Sequence, residues 1–462
     1  MRAVPLLLAS LIGSACAGWK DAPSCGYDNK CPEDKPCCSQ YGLCGTGDSC
    51  LGGCNPLTSH SMESCAPSPV CVDKKYNFDI SKDDLIVHSQ FLGNASKYDW
   101  LYSGYPKIDD NNLVMKMPES SSTLIANNHY IWYGKVKGKM KSSRGQGVIT
   151  SFILMSDVMD EIDFEFVGDD LHQVESNYYF QGVLDWNNGK PLEIKGNTFE
   201  EWHEYELDWN PERLHWIIDG DIKRTLKKSD TFNKTSNQYM YPQTPSRLQM
   251  SLWPGGGENQ AKGTVDWAGG PIDWNSKDMQ EKGYYYAQVS EISVECYEPP
   301  QGATIEGDKS YIFTDSDVTA DTVKITDEDV VLASLKATGT NMDHDPTPND
   351  DSSSSGSSGN GSNVPAGGSG QHGGSGSGSD SGSSSGSGSG SGSDSGSGSG
   401  SGSDSGSESG SSSSGSGDGS SGDSSGSESG SGGNGSSAAP AQRVLSGSLV
   451  AVVVGAVALV TL

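Results

Sequence analysis

Positive charge is scarce in this chain of 462 residues: 31 Lys and Arg stand against 60 Asp and Glu, a formal net charge of −29. Nucleic acid and anionic membrane surfaces are gripped through Lys and Arg, so both are excluded as partners, whereas a neutral polymer is not. Cysteine is almost missing from most of the sequence, with Cys296 alone beyond Cys71. A long apolar run is missing from the start, since Val4 to Ile12 is far shorter than the ~20 residues of a spanning helix. With Arg2 before it and Ala15-Cys16-Ala17 after it, that run reads as a secretory signal over residues 1–17, cleaved to leave a chain starting at Gly18.

What is present agrees with export. Of eleven cysteines Cys16 leaves with the signal, and an even remainder in an exported chain predicts disulfides rather than metal or redox chemistry. No cofactor and no metal are expected. N-x-S/T triplets at Asn94, Asn233 and Asn360 are candidate glycosylation sites, and a fourth falls at Asn434. Residues 300–350 are acidic and turn-rich and carry no recognisable role. From 351 to 437 Ser and Gly dominate, a composition with too little apolar area to offset its ordering entropy, which reads as a disordered stalk. Residues 438–462 end in an apolar stretch, Val444 to Leu462, preceded by Arg443 in a polar spacer and small residues around Asn434. That is the layout of a GPI-attachment signal, with Asn434 as the expected site. A C-terminal membrane helix is the alternative, but no basic residues follow the run to hold a cytoplasmic end. The protein is expected at the cell surface, touching the membrane only through its anchor.

Cysteine distribution divides the remainder into a small module, residues 18–60, and a larger domain, residues 61–299. In the larger domain, short alternating runs recur between turn residues: Val148 to Leu154, Glu161 to Val167, His203 to Trp209, Leu214 to Ile218, Leu248 to Trp253 and Ala287 to Cys296. With Asp219-Gly220 as a hairpin signal, they predict an all-β sandwich.

One run stands out chemically. A strand alternates its faces, so in Asp160-Glu161-Ile162-Asp163-Phe164-Glu165-Phe166 the acids Glu161, Asp163 and Glu165 share one face, and Ile162, Phe164 and Phe166 back them from the other. A solvated acidic face is the bland reading, but three like charges in a row repel, and exposed strands more often mix Thr, Lys and Ser. A calcium site is the other, but a strand lacks the loop carbonyls that complete a calcium shell. Retaining glycoside cleavage needs such a set: one carboxylate attacks the anomeric carbon, a second donates a proton to the leaving oxygen, and the two lie ~5–5.5 Å apart. Two unit charges ~5.5 Å apart at an effective dielectric of ~20 repel by about 3 kcal/mol, enough to keep one of them protonated.

That run resembles the signature of glycoside hydrolase family 16, and the resemblance implies a β-jelly-roll in which Glu161 is the nucleophile, Asp163 its helper and Glu165 the general acid/base. Ser246-Arg247-Leu248-Gln249-Met250-Ser251-Leu252-Trp253-Pro254 and Gly263-Thr264-Val265-Asp266-Trp267 look like the fungal Crh branch of that family. The branch implies transfer of chitin chains onto β-glucan in the cell wall, with Trp253 and Trp267 offering apolar faces to sugar rings and Arg247 and Thr264 making polar contacts. A hydrolase would share every catalytic residue. A non-catalytic wall lectin or structural mannoprotein is the reading from another class, and a clustered set of acids argues against it.

In the small module, Cys37-Cys38-Ser39-Gln40-Tyr41-Gly42-Leu43-Cys44-Gly45 resembles hevein-like chitin-binding modules, which implies sugar contacts by Ser39 and Tyr41. Leu43 and Ser49 stand where that family usually has aromatics, so a weak chitin binder and a purely structural cap are both open. The pattern implies the disulfides Cys25–Cys38, Cys31–Cys44 and Cys37–Cys50. Cys54–Cys65 and Cys71–Cys296 are the guess for the remaining four cysteines.

Overall fold

The computed structural model describes residues 22–78 and 85–346. The signal, the Ser/Gly stalk, Asn360, Asn434 and the anchor signal lie outside the described residues. No helix within them is long and apolar enough to cross a membrane.

Two antiparallel-rich sheets of eight strands each face one another, the all-β sandwich expected from the alternating runs. The acid-bearing sheet runs, edge to edge, Lys190–Glu193, Gln173–Tyr179, Glu161–Val167, Val148–Ser156, Ser246–Pro254, Thr123–Ile131, Trp100–Ser103 and Leu85–Val87. The second sheet contains His203–Trp209, Arg213–Ile218 and Tyr285–Cys296, each within two or three residues of the run predicted for it. Asp219 and Gly220 take φ of 51° and 82° between the paired Ile218 and Asp221, the left-handed pair that a two-residue hairpin needs.

Alternation explains the core. Ile162, Phe164 and Phe166 are at most 1% exposed, and Tyr205 of the second sheet meets Phe164 and Phe166 edge to face, with centroids 5.6 and 4.7 Å away. Truncating such a buried Phe to Ala costs about 3–5 kcal/mol. From the second sheet Trp216 reaches through the core and donates its indole N–H to the Asp163 carbonyl at 2.9 Å. The packing that stabilises the sandwich therefore also fixes the acidic strand.

Among the described residues five disulfides are formed: Cys25–Cys38, Cys31–Cys44, Cys37–Cys50, Cys54–Cys65 and Cys71–Cys296. The first three staple the small module, the fourth ties it to Cys65 at the start of the larger domain, and the fifth closes that start onto the domain's last strand. The segment from 300 to 346, without a role at the sequence level, folds back onto both. Its strands Thr304–Ile305, Ser310–Phe313 and Val323–Thr326 form a sheet with Ser68–Pro69. Tyr311, Val323 and Ile325 join the main core. Leu332 and Ala337 join a second cluster holding Cys37, Cys50 and Leu51 of the module with Phe91, Leu101 and Ala126 of the sandwich. Alternation cannot reveal such burial, because it depends on partners distant in sequence.

Candidate active site

The strand Glu161–Val167 pairs on one side with Val148–Ser156, placing Glu161 opposite Met155, Asp163 opposite Ile153 and Glu165 opposite Ser151. On its other side Glu161 faces Tyr179, Asp163 faces Asn177 and Glu165 faces Glu175. One strand further, Met155 pairs Arg247, Ile153 pairs Gln249, Ser151 pairs Ser251 and Ile149 pairs Trp253. Side chains on these rungs share a face, so the floor that carries the acids is built from four adjacent strands.

Glu161 and Asp163 are 7% and 1% exposed. Burial pushes all three carboxyls above the usual carboxylate range. At Glu161 the second cause is the charge of Glu165, and at Asp163 it is Glu165 and then Glu161, with the Arg224 cation pulling back. The three acids therefore sense one another and cannot all be ionised at neutral pH. Glu165 differs from the others: its Oε1 accepts from Ser151 Oγ at 3.0 Å, which opposes the effect of burial. Ser151 Oγ in turn accepts from the Trp253 indole N–H at 2.9 Å. Glu161 Oε2 and Asp163 Oδ1 are buried without a protein hydrogen-bond partner.

Two supports were not singled out from sequence. Asp160 is fully buried just before the strand, where it accepts from the backbone N–H groups of Gln181, Gln243 and Thr244 and from the Thr244 hydroxyl, which pins the entry to the strand. Arg224 lies over the Trp216 ring, 4.3 Å from its centroid, and donates to the Ser176 and Asn188 carbonyls at 2.7 and 2.6 Å. Period-two reading could have found Ser151, which sits on the flanking strand in the register of Glu165. Arg224 gives no local signal, because it comes from the other sheet.

The sugar-contact expectations need correction at several residues. Trp253 is 2% exposed and stacks on Trp267, centroids 6.2 Å apart, so its face is covered; Trp267, 38% exposed, is the open ring of the pair. Thr264 is buried on the short helix Lys262–Trp267. Arg247 is 1% exposed, and its Nη2 donates to Gln40 Oε1 at 3.0 Å and to the Gly52 carbonyl at 2.8 Å, so the small module covers it. A Cβ on Gly52 would fall 2.5 Å from Arg247 Nη1, so a residue with a side chain could not approach the guanidinium as closely. Tyr41 is 8% exposed and packs edge-on against His88 of the larger domain, so it offers no free platform. Ser39 is 6% exposed and donates to the Leu43 carbonyl at 3.0 Å. Docking of the module against the sandwich is the common cause at Arg247 and Tyr41. Of the glycosylation candidates, Asn233 is exposed and Asn94 half-buried.

A sandwich that aligns three mutually interacting carboxylates on one sheet face, Glu161 and Asp163 buried and Glu165 half-buried, has the pattern expected for glycoside cleavage. The family model described as glycosyl hydrolases family 16 matches residues 94–269. Crh-like protein 2 of Aspergillus fumigatus is 57% identical over 340 residues, covering 73% of this chain and 77% of that one. Congo red hypersensitive protein 2 of Saccharomyces cerevisiae is 42% identical over 322 residues, 69% of each. The chain belongs to the Crh-like proteins of glycosyl hydrolase family 16 and is an enzyme of the glycosidase and transglycosylase class. Among solved structures it is similar to the Crh5 transglycosylase in complex with NAG, at 27% identity and a TM-score of 0.48 over 59% of this chain and 99% of that one.

Proposed function

We propose that the protein cuts chitin and joins the released chain to β-glucan at the fungal cell surface by a double displacement on the strand Glu161–Val167. The observation that carries this is the alignment of Glu161, Asp163 and Glu165 on one sheet face, the first two buried and Glu165 half-buried and held by the Ser151 hydroxyl. Glu161 attacks the anomeric carbon while Glu165 gives its proton to the leaving oxygen. Asp163 between them holds the nucleophile in place and tunes its charge. In the second half Glu165 takes a proton from the incoming hydroxyl, whose oxygen displaces Glu161. Water in that role gives hydrolysis, a sugar hydroxyl gives transfer.

Trp267 offers the open apolar face for a sugar ring, while Trp253 positions Ser151 and through it Glu165. The acidic surface suits neutral polysaccharide as both donor and acceptor. A GPI anchor attached near Asn434 and sugars on Asn94 and Asn233 complete the proposed surface form. Incubation of the full protein with a chito-oligosaccharide donor and a fluorescent β-glucan oligosaccharide acceptor tests the reading. Labelled product larger than the acceptor is expected; shortened donor with no labelled product would leave hydrolysis, and no change in either would overturn the enzymatic assignment.

A further inference from the structure

Two glutamates of one strand must enter the reaction in opposite states, Glu161 ionised and Glu165 protonated. Burial does not tell them apart, since it is the first cause that raises both. The register does. On the strand Gln173–Tyr179, Tyr179 stands opposite Glu161, Asn177 opposite Asp163 and Glu175 opposite Glu165. On the strand Val148–Ser156 the same rungs carry Met155, Ile153 and Ser151. Among these neighbours Glu175 alone is an acid or a base that ionises near neutral pH, and it lies on the rung of Glu165. Directly paired residues have Cβ atoms ~4.5–5.5 Å apart, whereas four residues along a strand span ~13 Å. The charge of Glu175 is therefore close to Glu165 and remote from Glu161.

Like charges directly opposite on a sheet destabilise it, so the fold by itself has no use for a Glu–Glu rung. Both side chains are half-buried, and among the described residues neither carboxylate is in an ion pair. The other charges around the rung do not neutralise it. Asp170, just after the acid-bearing strand, raises Glu175 further, and Glu193 stands one same-face rung away, opposite Gln173. Arg224, from the second sheet, acts on Asp163. Arg247, two strands across on the rung of Glu161, gives its guanidinium to Gln40 and Gly52. The Ser151 hydroxyl favours the ionised form of Glu165, the wrong sense for a proton donor, and the charge of Glu175 opposes it.

We propose that Glu175 is a positioning residue acting through Glu165: its negative charge, present on the rung of Glu165 and absent from that of Glu161, makes Glu165 the carboxyl that holds the proton before cleavage. Glu165 gives that proton to the leaving oxygen as the Glu161–sugar bond forms. In the second half the same charge strengthens Glu165 as a base toward the incoming hydroxyl. Glu175 itself makes no bond to the reacting atoms. The inference rests on the double displacement proposed above. Burial and then Asp170 raise Glu175 as well, so its charge is present only above its own titration, and its influence falls on the basic limb of the pH profile.

The test combines the pH profile of kcat/KM for transfer from a chito-oligosaccharide with a direct titration of Glu165 in the full protein. The titration follows side-chain carboxyl shifts of 13C-labelled glutamate, with Glu165 assigned as the signal missing from Glu165→Gln. Glu175→Gln keeps the size and removes the charge, so it should move the basic limb, and the Glu165 midpoint with it, to lower pH by about one unit. Glu175→Asp keeps the charge and should move both by less than half as much. A uniform loss of kcat/KM at every pH with the limb unmoved marks a structural role and overturns the proposal, as does an equal shift in both variants. A parent protein that turns over no sugar sinks the double displacement instead. The Glu165 midpoint then decides the coupling alone: a fall in Glu175→Gln upholds it, and an unmoved midpoint ends it.

Discussion

Arg247 and Gln40, 207 positions apart in the sequence, are joined by a hydrogen bond of 3.0 Å that locks the N-terminal module onto the sheet of the catalytic acids. A charge-assisted bond of this kind contributes about 1.5–3 kcal/mol when buried, and here it is reinforced by the Gly52 carbonyl and a shared apolar cluster. The module in this protein is therefore packed as one body with the sheet that carries Glu161, Asp163 and Glu165.

Glu161→Gln should abolish both transfer and hydrolysis, a loss of at least about 1,000-fold as expected when a covalent nucleophile is removed. Far-UV circular dichroism and binding of a chito-oligosaccharide should be retained. Activity near that of the parent would show that the nucleophile lies elsewhere.

The same substitution should stabilise the protein at high pH. Burial raises the folded-state pKa of Glu161 above its ordinary value, so between the two values the folded state holds a proton that the unfolded state has lost, and stability falls as pH rises through that window. Removing the titration by Glu161→Gln removes this penalty. Thermal melting should therefore show a gain for the variant at pH 8, about 2–4 °C for each kcal/mol recovered. At pH 4, where both states of the parent are largely protonated, the gain should shrink towards zero; a gain of equal size at both pH values contradicts the account.

Ser151→Ala tests the proton donor. The Ser151 hydroxyl lowers the pKa of Glu165 by stabilising its charged form, so its loss should raise that pKa. Since Glu165 must be protonated to assist departure, the basic limb of kcat/KM should move to higher pH. Trp253→Phe, which removes the indole donor to Ser151 while keeping an apolar ring, should shift the same limb the same way by less. A basic limb that stays put in both variants would detach this chain of bonds from catalysis.

Trp267→Ala should raise KM for polysaccharide several-fold with kcat little changed, because it removes the open face of a pair whose inner member is already covered. Loss of stacking on one sugar ring corresponds to about 1 kcal/mol or more, by analogy with aromatic contacts generally. A fall in kcat at constant KM would instead place the ring at the reacting centre.

The tie between the first and last parts of the larger domain can be tested directly. Replacing Cys71 and Cys296 together with Ser should cost about 2–4 kcal/mol, since the disulfide closes a long loop of the unfolded chain. Denaturant unfolding with the other disulfides intact measures it, and an unchanged midpoint would show that the ladder from Lys74–Asn77 to the last strand suffices alone.

Much of the sandwich and the acid-bearing strand was legible in the sequence because both obey a local rule. Side chains of Glu161, Asp163 and Glu165 fall on one face through the period of two, and Ile162, Phe164 and Phe166 must then be core. Tertiary structure alone decided the environment: Ser151 and Trp253 acting on Glu165, Trp216 and Arg224 arriving from the second sheet, and Tyr41 and Arg247 being buried by the docked module. Those contacts link residues tens to hundreds of positions apart, and their energy depends on burial, which no local pattern encodes. The sequence determined which groups share the acidic face; the packing of distant segments decided which side chains around it stay open and which are held in the interior.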